Sequence, residues 1–236
     1  MFEAFYNSTY QQPLLLWVAI FFGTLLLIYW RARGRLAPKW LVRYCAIFTL
    51  SAALDAWLTA NTIIGLGGLA GPGSLGTLKA PLATIVPIFF IILGDYRYFL
   101  LIALVREQES TSSWPWSLIR GLLRALPWAF VVPLITAFMR PTNPRVLYLA
   151  YEMLFLALVI LRHRFDSMSS PSRDRATFYF FALYACWALA DIMILSDFAT
   201  SAAWLLRTFA NLLYYAGWAP YAYWHHSESR PYDRRR

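Results

Sequence analysis

The sequence predicts an all-helical, polytopic membrane protein with seven transmembrane helices, and three observations carry that prediction. Hydrophobic residues make up 60% of the 236 and charged residues only 14%, whereas ordinary soluble domains carry about 25% charged residues. The apolar residues gather into seven stretches, each near the roughly 20 residues that a helix needs to cross a bilayer core. Basic residues collect at alternate ends of those stretches, as the positive-inside rule requires of a multi-pass chain. Seven such spans leave only short loops, so residues 1–236 read as a single transmembrane domain.

Span one, Pro13–Trp30, follows neither a basic n-region nor an Ala-x-Ala site, so it reads as a retained helix rather than a cleaved signal peptide. Span two, Leu41–Ile64, carries Ser51, Asp55, Thr59 and Thr62 at spacings of four, four and three, which makes one polar stripe. Gly65-Leu66-Gly67-Gly68 with Gly71 and Gly73 follows. No Gly-Lys-Ser/Thr comes after it, so it reads as a flexible outer loop and not a nucleotide cradle.

Span three, Pro81–Val105, contains Gly94-Asp95-Tyr96-Arg97. Residues two apart point to different faces, so Asp95 and Arg97 each need a partner from elsewhere. Arg120 and Arg124, one turn apart at the start of span four (Leu118–Phe138), are within reach of Asp95, while Arg97 can snorkel toward the surface. These four residues are expected to form an inner ion-pair lock or a cytoplasmic gate, the lock being the plainer reading. Span five, Val146–Leu161, presents Tyr148, Glu152 and Phe155 on one face, and span six, Thr177–Leu195, presents Tyr184, Trp187 and Asp191. Span seven, Ala202–Trp224, gives the longest stripe: Arg207, Asn211, Tyr214, Trp218 and Tyr221. Pro81, Pro87, Pro127, Pro133 and Pro220 are expected to kink their helices.

The basic residues set an orientation. Arg31, Arg33, Arg35, Lys39, Arg43, Arg106, Arg162, Arg164, Arg173, Arg175, Arg230 and Arg234 to Arg236 fall on one side, and only Lys79, Arg140 and Arg145 on the other. The N-terminus is therefore expected outside and the C-terminus in the cytoplasm. The net charge of +9 is accounted for by this asymmetry and anionic lipid, without a nucleic-acid partner.

Cys45 and Cys186 lie within spans without Cys-x-x-Cys spacing and read as small apolar residues. His163, His225 and His226 sit at the cytoplasmic edge. No clustered His, Cys or acidic ligand set suggests a metal, and no fingerprint implies a cofactor. Neither Lys39 nor Lys79 lies in the core of a span, which excludes a retinal Schiff base on span seven. Asn7-Ser8-Thr9 has the form of a glycosylation acceptor. Aromatic belts explain Trp17, Trp40, Trp114, Trp116, Trp204 and Trp224, whereas Tyr184, Trp187, Tyr214, Tyr215 and Trp218 share spans with polar residues.

Spans one and five both end in Arg-x-Arg, and spans two and six each hold one central aspartate among small residues, Asp55 and Asp191. Two parallel three-helix repeats joined by the fourth helix would produce this, as would positive-inside pressure on the helix ends. At about 1.5 Å of rise per residue, Asp55, Glu152, Asp191 and Arg207 all fall in the outer half of the bilayer. A cluster of these with Asn211 and the aromatic residues Tyr184, Trp187, Tyr214 and Trp218 is the expected site. Three carboxylates against one arginine would leave a proton to move or donate.

Charged residues deep in a span are costly, so function is sought there first. The leading expectation is a carrier or binder of a small solute, cations included, in an acidic and aromatic cavity, with membrane lipid as the surrounding partner. The alternatives are a membrane-embedded enzyme that uses a carboxylic acid on a lipid or isoprenoid, and an accessory subunit.

Overall fold

A computed structural model describes residues 2–6, 11–58, 82–108, 114–139, 143–165 and 171–229. Thr59, Thr62, the glycine-rich segment, Lys79, Pro81, Arg140, Arg230, Arg234 to Arg236 and the Asn7-Ser8-Thr9 triplet lie outside the described residues. The backbone is all-helical apart from a two-residue antiparallel pairing of Arg35–Leu36 with Glu228–Ser229.

A short α1 (Phe2–Tyr6) precedes α2 (Gln11–Ala32), α3 (Lys39–Leu58), α4 (Leu82–Gln108), α5 (Trp114–Thr136), α6 (Pro144–Phe165) and α7 (Pro171–Leu195). The last run is α8 (Thr200–Leu212), a π-helical turn (Leu213–Gly217) and α9 (Trp218–His226). Among the described residues, the first six apolar stretches thus lie largely on single helices and the seventh on the run from α8 to α9. Five of the helices, α2, α4, α5, α6 and α7, are long and apolar enough to cross a membrane.

The helix ends follow from local chemistry. Asn143 caps α6, its side-chain oxygen accepting from the Arg145 amide at 2.9 Å, and Pro144 takes the first helical position, where no amide hydrogen is needed. Gly34 ends α2 at φ 83°, a left-handed conformation open to glycine at no steric cost. α7 ends in a Schellman turn. Asp197 takes the left-handed position at φ 53°, the Phe198 amide reaches back to the Met193 carbonyl at 2.9 Å, and the Asp197 amide reaches Ile194 at 3.3 Å. α6 and α7 run beyond their apolar stretches because backbone pairing continues where the side chains turn polar. α5 passes through Pro127 and Pro133 without a break.

The chain forms two compact units: Met1–Asn7 with Ala80–Ala210, and Ser8–Lys79 with Asn211–Arg236. In the first, α4 lies along α5 and α7, and α6 along α5 and α7. Its interior is aromatic: Phe155 stacks on Tyr184 at 4.1 Å, Tyr98 meets Phe180 at 4.9 Å, and Phe99 meets Phe155 at 5.8 Å. In the second, α2 and α3 pack against the π turn and α9 around Leu16, Leu41, Tyr44, Ala56, Trp218 and Ala222. Gly23 permits the closest approach there: a Cβ at that position would stand 2.9 Å from the Ala216 carbonyl oxygen.

Both units wear their apolar residues outside. Phe21, Phe22, Ile47, Leu50, Leu123, Leu134 and Phe178 are all exposed, while Asp55, Asp95, Arg97, Glu107, Glu152 and Asp191 are buried. Apolar side chains on the outside, with these few charges kept inside an otherwise apolar core, are the arrangement that hydrocarbon solvent favours.

Candidate functional site

Charged side chains gather at one place in the first unit through α6, α7 and α8. Arg145 and Glu152 stand seven residues apart on α6, two turns along one face, and Asp191 sits near the end of the antiparallel α7. The tight Schellman turn then brings α8 back so that Arg207 meets the same aspartate. Arg145 Nη1 donates to Asp191 Oδ1 at 2.8 Å, and Arg207 donates to that same oxygen. Arg207 Nη1 lies 3.5 Å from Glu152 Oε1. Asp191 is fully buried and so does not face lipid.

Aromatic rings close around these charges. The Arg145 guanidinium lies 4.8 Å from the Trp204 ring centre, and Arg207 lies 5.9 Å from Tyr6 and 6.0 Å from Tyr148. Arg207 Nε also donates to the Tyr6 hydroxyl at 3.1 Å, and the Tyr6 ring packs on Trp204 at 4.9 Å. Among the described residues, Glu152 Oε2, Asp191 Oδ2 and Trp204 Nε1 are buried without a hydrogen-bond partner. Two acceptors and one donor are therefore left open in one cluster, each costly to bury unmatched.

The cluster in the first unit holds one cation more than expected. Arg145, assigned by sequence to the outer surface, is a second guanidinium in the cluster, while Asp55 and Asn211 belong to the second unit. Within the first unit, two carboxylates, Glu152 and Asp191, face two guanidiniums, Arg145 and Arg207. Tyr6, Trp204 and Arg145 were not among the expected site residues. The seven-residue spacing of Arg145 and Glu152 is the signal that could have found Arg145; nothing in sequence ties Tyr6 to Arg207.

Asp95 has a different set of partners from those expected. The hydroxyls of Tyr151 on α6 and Tyr184 on α7 both donate to it, one to each carboxylate oxygen. Arg97, also buried, lies 5.5 Å from the Phe180 ring centre. Arg120 and Arg124 instead hold Glu107, a residue sequence reasoning passed over, with Arg120 Nε 3.0 Å from Glu107 Oε2. Hairpin register explains the correction. Leu104 meets Gly121 and Phe99 stacks on Trp128, so Asp95 is level with residues near 132, about 12 Å deeper than Arg124. The α7 stripe accordingly serves two places: Asp191 holds the arginines, while Tyr184, with Trp187 against its ring at 5.2 Å, serves Asp95.

The stripe expected along span seven is cut by the π turn. Five residues in place of a tight α turn shift everything after Gly217 by about one residue's rotation, so α-helical spacing does not carry from Arg207 to Trp218. In the second unit Trp218 is buried and donates to the Tyr44 hydroxyl at 2.7 Å, and Tyr214 is buried against Tyr215 at 5.1 Å. Asp55 is buried in the same unit. Among the described residues no group of three or more His, Cys, Asp or Glu is placed to hold a metal ion.

Comparison with protein-family models, with curated proteins and with solved structures finds no match for this chain.

Proposed function

We propose that this chain is a seven-span membrane protein, N-terminus outside, that binds or carries a small polar solute at the cluster of Arg145, Glu152, Asp191 and Arg207. The five membrane-length helices support integral membrane placement, and in this proposal the remaining two spans are assigned to α3 and to the run from α8 to α9. The basic residues at alternate ends support the orientation.

One observation carries the functional reading: Glu152 Oε2, Asp191 Oδ2 and Trp204 Nε1 are buried and open beside groups whose formal charges cancel. A bound cation or anion would leave a net charge in a poorly solvated place, at a cost of several kcal/mol. A solute neutral overall, with hydroxyl or amide donors for the two carboxylates and an acceptor for the indole, meets all three open atoms at no such cost. This narrows the solute away from simple cations. Asp95 is a weaker candidate for an enzymatic acid, since both its oxygens are already engaged by phenols.

The test is native mass spectrometry of the full chain beside Glu152→Gln and Trp204→Phe. A polar, neutral molecule held by the wild type and lost by both variants supports the reading. A lipid or isoprenoid lost in the same way points instead to the enzyme. Empty spectra throughout overturn both and leave the accessory subunit.

A further inference from the structure

The α4–α5 hairpin holds an arrangement that the solute site does not use. Glu107 is the last residue of the membrane-length segment of α4, and Arg120 and Arg124 lie two and six residues into that of α5. All three therefore sit within about 9 Å of the ends of these apolar segments, near enough for arginine side chains to reach the level of lipid headgroups. Glu107 is 3% exposed, yet the two arginines it holds are 43% and 55% exposed. Around them α5 shows Trp116, Ile119, Leu123 and Leu126 to the outside, an interfacial indole above a lipid-facing apolar strip.

We infer that Arg120 and Arg124 form a binding site for the phosphate headgroup of an anionic phospholipid. One carboxylate against two guanidiniums leaves a formal charge of +1, and one lipid phosphate closes that balance. Each guanidinium has five donors in a planar fork and spends few of them on Glu107, so donors remain on the exposed side for phosphate oxygens. The shared carboxylate also fixes both side chains one turn apart before any lipid arrives, which lowers the ordering cost of binding. Acyl chains of the same lipid would lie along the strip of Ile119, Leu123 and Leu126.

The experiment is native mass spectrometry of the full chain with equal amounts of phosphatidylglycerol and phosphatidylcholine. Wild type should retain phosphatidylglycerol in preference. Arg124→Gln leaves a balanced Glu107–Arg120 pair in a chain that keeps its anchor, and should lose about five-fold of that preference, the attraction of one interfacial arginine for anionic lipid. Glu107→Gln/Arg120→Gln/Arg124→Gln, which strands no buried carboxylate, should abolish it. Inorganic phosphate should not displace the lipid. Equal retention of the two lipids by wild type, an unchanged preference in Arg124→Gln, or displacement by inorganic phosphate would each overturn the assignment.

Discussion

At the residue scale, Asp191 spends one oxygen on two guanidiniums and leaves the other open, so its contribution depends on both arginines. Removing one member of a buried ion pair strands its partner and costs about 3–5 kcal/mol, whereas removing a matched pair costs far less. Asp191→Asn should therefore destabilise the protein by about that amount in reversible detergent unfolding, and Arg145→Gln/Asp191→Asn should recover part of the loss. A double variant no more stable than Asp191→Asn would mean that Arg145 is held mainly by Trp204. Tyr151 and Tyr184 both serve Asp95, and bonds between transmembrane helices are modest, averaging about 0.6 kcal/mol. Tyr151→Phe and Tyr184→Phe should each cost about 1 kcal/mol. The pair together should cost more than the sum, because the second loss leaves the carboxylate without either phenol.

At the scale of elements, the two tight glycines predict opposite outcomes. The nearest neighbour of a Cβ at Gly23 is a backbone oxygen that cannot withdraw, so Gly23→Ala should cost about 1–3 kcal/mol by forcing α2 from the π turn. At Gly121 the neighbour is the Leu104 Cδ2 methyl, 3.0 Å away on a side chain that can rotate, so Gly121→Ala should leave the melting temperature nearly unchanged. Thermal unfolding of both variants in one detergent checks the contrast. The π turn makes a further prediction. Deleting Ala216 should restore an α-helical register and rotate Trp218 away from Tyr44 by about 100°. Burial of Trp218, followed by its fluorescence against a Trp218→Phe control, should then be lost.

At the scale of the whole molecule, the proposed topology places the α7–α8 turn outside and the turn after α2 inside. In a background lacking Cys45 and Cys186, a cysteine at Ser196 should react with an impermeant thiol reagent in intact cells, and one at Gly34 only after the cells are opened. The reverse pattern would invert the orientation. Much of this level was legible in the chain. The apolar stretches marked where helices lie, because a span must bury its backbone polar groups within itself and so writes its length into the sequence. Asp95, Glu152, Asp191 and Arg207 stood out because charge within a span is rare. Their partners did not stand out: Arg145 looked like a loop cation, Glu107 like a helix end, and Tyr6 like part of a tail.

The sequence by itself determined the helical class, the approximate positions of α2 to α7 and of the run from α8 to α9, and that Asp95, Glu152, Asp191 and Arg207 needed an explanation, since each of these follows from spacing and hydropathy along one segment. Tertiary structure alone decided who pairs with whom. The α4–α5 register gave Arg120 and Arg124 to Glu107 instead of Asp95, and the sharp turn after α7 gave Arg207 to Asp191. The π turn broke a stripe that α-helical counting had drawn whole. Register, turn geometry and an added residue in one helical turn move side chains by many ångströms while leaving local composition unchanged. No periodicity within a single span records them.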